Sequence, residues 1–141
     1  MIRLIVPGIP RPKARPRIFT RGGKVMHYSP SAKDEQAFLA LAAQARPVHP
    51  YTGPISVGLT FYVPAPKSMP VKLRAQVDAE TLPCAKRPDL DNYAKLCLDA
   101  LNGVYWQDDG QIHALSLTKL YSRTPRTELT VREVGEGGKD A

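Results

Sequence analysis

Between Ile55 and Val63 every second residue is apolar: Ile55, Val57, Leu59, Phe61 and Val63 alternate with Ser56, Gly58, Thr60 and Tyr62. A period of two places those five side chains on one face of an extended strand. A face that apolar has to be covered, so the run predicts a sheet with its core on one side and requires a covering element from elsewhere in the chain. Residues 89–102 provide one. Leu90, Ala94, Cys97 and Leu101 recur at i, i+4, i+7 and i+11, the spacing of a helix with one apolar stripe, and Asn102-Gly103 ends it.

The other elements follow from the same rules. Ile2, Leu4 and Val6 alternate as a short strand that Pro7-Gly8 halts, and a basic loop over 7–28 begins there. Within it Arg17–Thr20 and Lys24–Tyr28 flank Arg21-Gly22-Gly23, the pattern of a small hairpin closed by a glycine turn. Ser29-Pro30-Ser31 offers a cap and a first-turn proline to a helix over about 30–46, whose stripe is Ala37, Phe38, Leu41, Ala42 and Ala45. Residues 64–87 carry four prolines and weak periodicity, and read as a long functional loop. Ile112–Tyr121 and Thr127–Val134 form two last strands. The expectation is one α+β domain over 1–134, a mixed β-sheet flanked by two main helices in the order β-α-β-α-β-β, with a polar tail over 135–141.

A chain of 141 residues has room for one such core. Its apolar runs fall far short of the roughly 20 residues of a membrane span, and Met1–Val6 is too short for a signal peptide; no membrane contact and a cytoplasmic location are expected. Two cysteines make no disulfide framework, and both are expected to be reduced. Charge is more informative. Residues 1–30 hold seven Lys and Arg and no acid, which accounts for the whole net charge of +7. Such a segment is either a solvated basic loop or a contact for a polyanion, and a pI near 9.6 favours a nucleic-acid backbone. Arg11, Lys13, Arg15, Arg17, Arg21 and Lys24 are its candidate DNA contacts, with Lys86 and Arg87 further on.

Lys86 and Arg87 lead directly into Asp89-x-Asp91, which opens the second helix; Asp108-Asp109-Gly110-Gln111 follows its end. Inside a regular helix, residues two apart diverge by about 200°. If Asp89 is still extended at the N-cap while Asp91 occupies the first turn, the two carboxylates converge at the helix N-terminus. A carboxylate of the Asp108-Asp109 loop facing inward would then join them. Hard oxygen ligands in that number suit Mg²⁺ with waters and phosphate oxygens completing its shell, and Lys95, one turn beyond Asp91, would orient water or neutralise a phosphate. The plain alternative is that Asp89 and Asp91 cap the helix and Asp108-Asp109 closes a turn. Clustered acids beside a basic segment favour a metal that bridges them to phosphate. Glycine-rich nucleotide motifs are absent, so no nucleotide cofactor is expected. His27, His49, His113, Cys84 and Cys97 lack zinc spacing.

The run Arg87-Pro88-Asp89-Leu90-Asp91-Asn92-Tyr93-x-Lys95, then Leu98-Asp99-Ala100-Leu101-Asn102-Gly103, then Asp108-Asp109-x-Gln111, together with Gly8-x-Pro10-x-Pro12-Lys13-x-Arg15, closely resembles the RusA family of Holliday-junction resolvases from bacteria and their prophages. The resemblance implies a RusA-like fold and a homodimeric, Mg²⁺-dependent endonuclease, with Mn²⁺ able to substitute, that cuts four-way DNA junctions by paired symmetric nicks in recombination and repair. It places catalytic roles on Asp89, Asp91, Lys95 and Asp109, the three acids being the metal ligands; alignment through Gln111 favours Asp109, with Asp108 the other candidate. By the same resemblance, the 64–87 loop touches DNA or the partner subunit. Tyr105 and Trp106 are either core residues or a wedge against an unstacked base. The competing readings are a non-catalytic basic DNA-binding protein and a metal nuclease for other branched or single-stranded DNA.

Overall fold

A computed structural model describes residues 1–14, 17–28 and 30–135, without the side chains of 17, 27 and 28. Its frame is the strand that the alternation marks. β4 (Ile55–Pro64) alternates buried and half-buried along its whole length, with Ile55, Val57, Leu59, Phe61 and Val63 turned inward. It sits inside a four-stranded mixed sheet of order β1-β6-β4-β5, formed with β1 (Ile2–Pro7), β5 (Ile112–Ser122) and β6 (Arg126–Glu133). β6 runs antiparallel to both β1 and β4, and β5 runs parallel to β4. On the outer face Gly58 lies opposite Thr130, whose hydroxyl would stand 2.5 Å from any added Cβ. A glycine is needed there for close approach, not for its backbone angles.

Parallel neighbours need a crossover, and between β4 and β5 the chain forms α2 (Val71–Asp78) and α3 (Leu90–Leu101). α3 covers the sheet with Tyr93, Ala94, Leu96, Cys97, Ala100 and Leu101, a face wider than the four-residue stripe in the sequence, and Leu90 is only half-buried. Tyr93 stacks on Phe61 of β4 with ring centroids 5.3 Å apart. α1 (Ala32–Ala42), extended by a 3₁₀ turn over Ala43–Ala45, packs beside α3 through Phe38 and Ala42. Ala37 and Leu41 of the expected stripe are exposed. Tyr105 and Trp106 are wholly buried beneath the α3 C-terminus, the Tyr105 hydroxyl donating to the Ala42 carbonyl at 2.6 Å. They are core residues, and no wedge into DNA is available from them.

Two further expectations need correction. Residues 64–87 are not a structureless loop: Pro70 starts α2, which anchors mainly through Val77, and residues 82–84 then pair with the end of β5. A helix with one buried residue leaves little apolar periodicity to read. The Ser31 hydroxyl makes no cap hydrogen bond to α1 but accepts from the Ala14 backbone N–H at 2.6 Å, tying the basic segment to the helix start. The hairpin is present as β2 (Arg17–Arg21) and β3 (Lys24–Tyr28), a separate two-stranded sheet. The full order is therefore β-β-β-α-β-α-α-β-β, still α+β with a mixed sheet. Both cysteines are free, Cys97 buried and its thiol pushed up to about 12 by burial. Among the described residues no helix is long and apolar enough to cross a membrane.

Candidate active site

Asp89 is the N-cap residue of α3, with extended backbone (φ −66°, ψ 144°), and Asp91 lies in the first helical turn. This is the junction geometry on which convergence of the two side chains depends. The Asp89 backbone carbonyl accepts from the N–H groups of Asn92 and Tyr93, while its carboxylate makes no cap hydrogen bond. Both carboxylates are exposed, and neither has a hydrogen bond or ion pair among the described residues. A capping role would consume one of them; neither is used that way. Free N–H groups at a helix start favour anions there. The donor set, two hard carboxylate oxygens open to water, fits Mg²⁺, which commonly takes one or two carboxylates and keeps several waters.

The segment leading into this end is held from outside. The Lys119 ammonium, on β5, donates to the carbonyls of Lys86 at 2.5 Å and Pro88 at 2.8 Å and lies 6.0 Å from the centre of the Tyr93 ring. The Arg87–Pro88 peptide is cis. Two carbonyls gripped by one ammonium fix the approach of the backbone to Asp89 and leave the Lys86 and Arg87 side chains exposed beside it. Lys95, one turn along, is 63% exposed and stands 3.5 Å from Asp99.

At the other end of α3 the acids are differently placed. Asp108 caps a 3₁₀ turn over Asp109–Gln111, accepting from Gly110 N–H at 2.9 Å, and the Gln111 side-chain oxygen in turn accepts from Asp108 N–H at 2.8 Å. The Gln111 amide also donates to the carbonyls of Tyr51 and Gly53 at 2.8 and 2.9 Å, fastening the loop to the start of β4. Asp109 takes one hydrogen bond, from the buried Trp106 indole to Oδ1 at 2.7 Å. Its second oxygen has no partner among the described residues.

The family model described as Endodeoxyribonuclease RusA matches residues 7–132. The chain belongs to the RusA family. It is 39% identical over 137 residues to the uncharacterized protein YqaN of Bacillus subtilis (strain 168), covering 94% of this chain and 96% of that protein. It is 37% identical over 70 residues to the crossover junction endodeoxyribonuclease RusA of Escherichia coli (strain K12) and to that of Enterobacteria phage 82, an alignment spanning 48% of this chain and 56% of each relative.

Within this RusA-family chain, the residues singled out in the sequence separate into groups. Asp89 and Asp91 share one end of α3, with Lys86, Arg87 and Lys95 around them. Asp109 does not join them: α3 is 12 residues long, about 18 Å at the helical rise, and lies between. Among the described residues no three His, Cys, Asp or Glu side chains stand close enough to share a metal ion. The expected inward-facing third carboxylate is therefore absent from this end of the single chain. Of the basic candidates, Arg11, Arg21 and Lys24 are exposed. Lys13 is not free: it pairs with Glu35 of α1 and, at 3.1 Å, with Asp99 of α3. The Glu35 carboxylate holds its ammonium above the usual lysine range. Arg15 and the Arg17 side chain lie outside the described residues. Lys119 is the residue the sequence does not reveal, because a lysine within a strand gives no sign that its partners are two backbone carbonyls.

Proposed function

We propose that this chain is a metal-dependent endonuclease that resolves four-way DNA junctions by paired nicks, with Asp89, Asp91, Lys95 and Asp109 as its catalytic residues, in recombination and repair. The observation that carries this reading is the pair of unengaged carboxylates at the start of α3, flanked by Lys86 and Arg87. Family membership and the crossover-junction activity named for the 37%-identical relatives support the substrate.

Asp89 and Asp91 would hold Mg²⁺, or Mn²⁺ in its place, with Asp109 as the third ligand; a bound ion supplies positive charge to the phosphoryl transition state and lowers the pKa of the attacking water. Asp109 is the preferred ligand by alignment through Gln111; one oxygen of each carboxylate is taken, that of Asp108 by the Gly110 N–H and that of Asp109 by the Trp106 indole. Lys95, 63% exposed and one turn beyond Asp91, would steady the developing charge of a phosphate bound at the start of α3. Lys86 and Arg87, with Arg11, Arg21 and Lys24 further out, contact the phosphate backbone, which gives affinity a steep dependence on salt. Two symmetric nicks need two sites, and a two-fold homodimer provides them.

The test is a labelled synthetic four-way junction incubated with the purified protein in Mg²⁺ or in EDTA, beside duplex and single-stranded DNA and an Asp91→Asn variant. Paired nicks confined to the junction, requiring metal and lost by at least about 10³-fold in the variant, are expected. Binding without metal-dependent cutting would leave a basic DNA-binding protein.

A further inference from the structure

The start of α3 is approached by the chain from two sides. α1 packs against β1 at one edge of the sheet and α2 against β5 at the other, and α3 lies between, in contact with both α1 and β5. On the α1 side comes the basic segment, whose Lys13 N–H donates to the Asn92 carbonyl in the first turn of α3 at 2.9 Å. On the β5 side come residues 64–88, ending in the two carbonyls that Lys119 holds.

This second approach is also basic, and the fold does not use its charge. Residues 64–88 hold Lys67, Lys72, Arg74, Lys86 and Arg87 against Asp78 and Glu80. Both acids are already paired, Asp78 with Arg123 and Glu80 with Arg126. The five cationic side chains are exposed, and among the described residues none has a hydrogen bond or an ion pair.

Several of these cations follow one path. A groove between residues 64–69, α2 and the end of β5 has Lys67, Arg74 and Arg123 on its walls. It shares Pro66 and Met69 with a second groove, which Lys86 lines, three residues before Asp89. Ser122, in the first groove, is three positions past Lys119 on β5, about 10 Å at the rise of a strand. Arg123 gives only its Nε to Asp78 among the described residues. An exposed pair of this kind is weak, and the guanidinium keeps donors for a phosphate. Lys72 lines neither groove.

Cations strung along a groove, instead of converging on one point, fit a polyanion whose charges recur. Each DNA strand presents a phosphate about every 3.4 Å of helix axis, so 10 Å faces about three. The path is continuous with Lys86 and Arg87 beside the carboxylate pair, and the basic segment leaves the same point on the other side. A plain duplex can be held by one such track. A branch whose arms part at the cut has use for two.

We propose that Lys67, Arg74 and Arg123, in line with Lys86, form a second phosphate track that holds a different arm of branched DNA from the one held by the basic segment, with the start of α3 where the arms part. The proposal deepens the nuclease reading and rests on it for the position of the cut, but its test needs no cutting. The probe is a fluorescein-labelled synthetic four-way junction, with a duplex of the same arm sequence beside it, titrated by anisotropy in EDTA. The double variant Lys67→Ala, Arg74→Ala is expected to keep the wild-type melting temperature and to weaken junction binding about 10-fold near physiological salt. The slope of log affinity against log salt should fall by about 2, one for each lost phosphate contact. Duplex binding should weaken by less than about 3-fold, so the preference for the junction falls. Lys72→Ala removes one charge from the same helix outside both grooves and should leave the two affinities within about 2-fold of wild type. A double variant with the junction affinity and salt slope of the wild type, an equal loss on junction and duplex, or an equal loss from Lys72→Ala would overturn the proposal; the nuclease reading then stands if the wild type nicks the junction in Mg²⁺. A selective loss of junction binding in the double variant, beside a wild type that cuts nothing in Mg²⁺, would overturn the nuclease reading and leave the second track standing.

Discussion

The two ends of α3 carry acids in the same number and hold them in opposite ways. At the C-terminal end the turn is built from its own side chains: Asp108 caps, Gln111 staples three backbone groups, and the Trp106 indole aims Asp109. At the N-terminal end Asp89 and Asp91 have no such partners, and the backbone is held instead by Lys119 from a neighbouring strand. At one end side-chain hydrogen bonds shape the loop; at the other the backbone is held from outside and both carboxylates are left open. Each end thus separates the groups that hold the backbone from carboxylate oxygens left open.

The division breaks most visibly at Asp108-Asp109. Asp109→Asn is expected to reduce metal-dependent nicking by at least about 10³-fold with the melting temperature nearly unchanged, because it removes a ligand charge and keeps the shape. Asp108→Ala should do the reverse, costing about 1 kcal/mol of stability for a lost cap while leaving nicking within a few-fold of wild type. Parallel melting curves and single-turnover rates on a junction would decide; equal loss of rate in both would dissolve the distinction. Lys119→Met sharpens the other end. It removes a grip on the backbone and no ligand, so nicking should fall by about 10- to 100-fold, the usual effect of an outer-shell partner, with an increased requirement for Mg²⁺ in a metal titration. An unaltered Mg²⁺ titration would show that Lys119 only stabilises the fold.

The smallest effect on nicking is expected at a carboxylate whose hydrogen bonds go to neither end. Glu80, which has left-handed backbone (φ 58°), receives two parallel hydrogen bonds from the Arg126 guanidinium, at 2.7 and 2.8 Å, and another from the Ser122 hydroxyl. Arg126 above all, then Ser122, lowers its carboxyl to about 2 from an ordinary 4.5. With the folded value depressed, the unfolded chain binds the extra proton first. The stabilisation is fully present above about pH 4.5 and is lost as pH falls toward 2. Glu80→Gln should therefore flatten the dependence of melting temperature on pH across that window and leave nicking at neutral pH unchanged.

How much of this was legible beforehand depends on whether a residue's partners are near in sequence. The alternation of β4 and the stripe of α3 are properties of single segments, and both elements form where the pattern places them. So is the offset of Asp89 and Asp91 across a helix start, since the cap position depends on the adjoining turn. α2 escapes because Val77 alone buries deeply and a helix without a stripe reads as a loop. Lys13 looks like one more base in a basic run, yet Glu35 and Asp99, contributed by two helices, take its charge into the fold. The Asp108-Asp109-x-Gln111 motif could be picked out, but the work of Gln111 is done against Tyr51 and Gly53, which no local pattern connects to it. The separation of Asp109 from the first pair depends on which way α3 runs across the sheet, a property of topology.

The hydrogen bond from Trp106 to Asp109 has an optical consequence. Trp106 is the only tryptophan in the chain, it is wholly buried, and its indole N–H donates to Asp109 Oδ1, one of the two oxygens of the carboxylate proposed as a metal ligand. A cation held at Asp109 is therefore expected to change the emission of this protein, a label-free signal readable in a cuvette before any strand of DNA is cut.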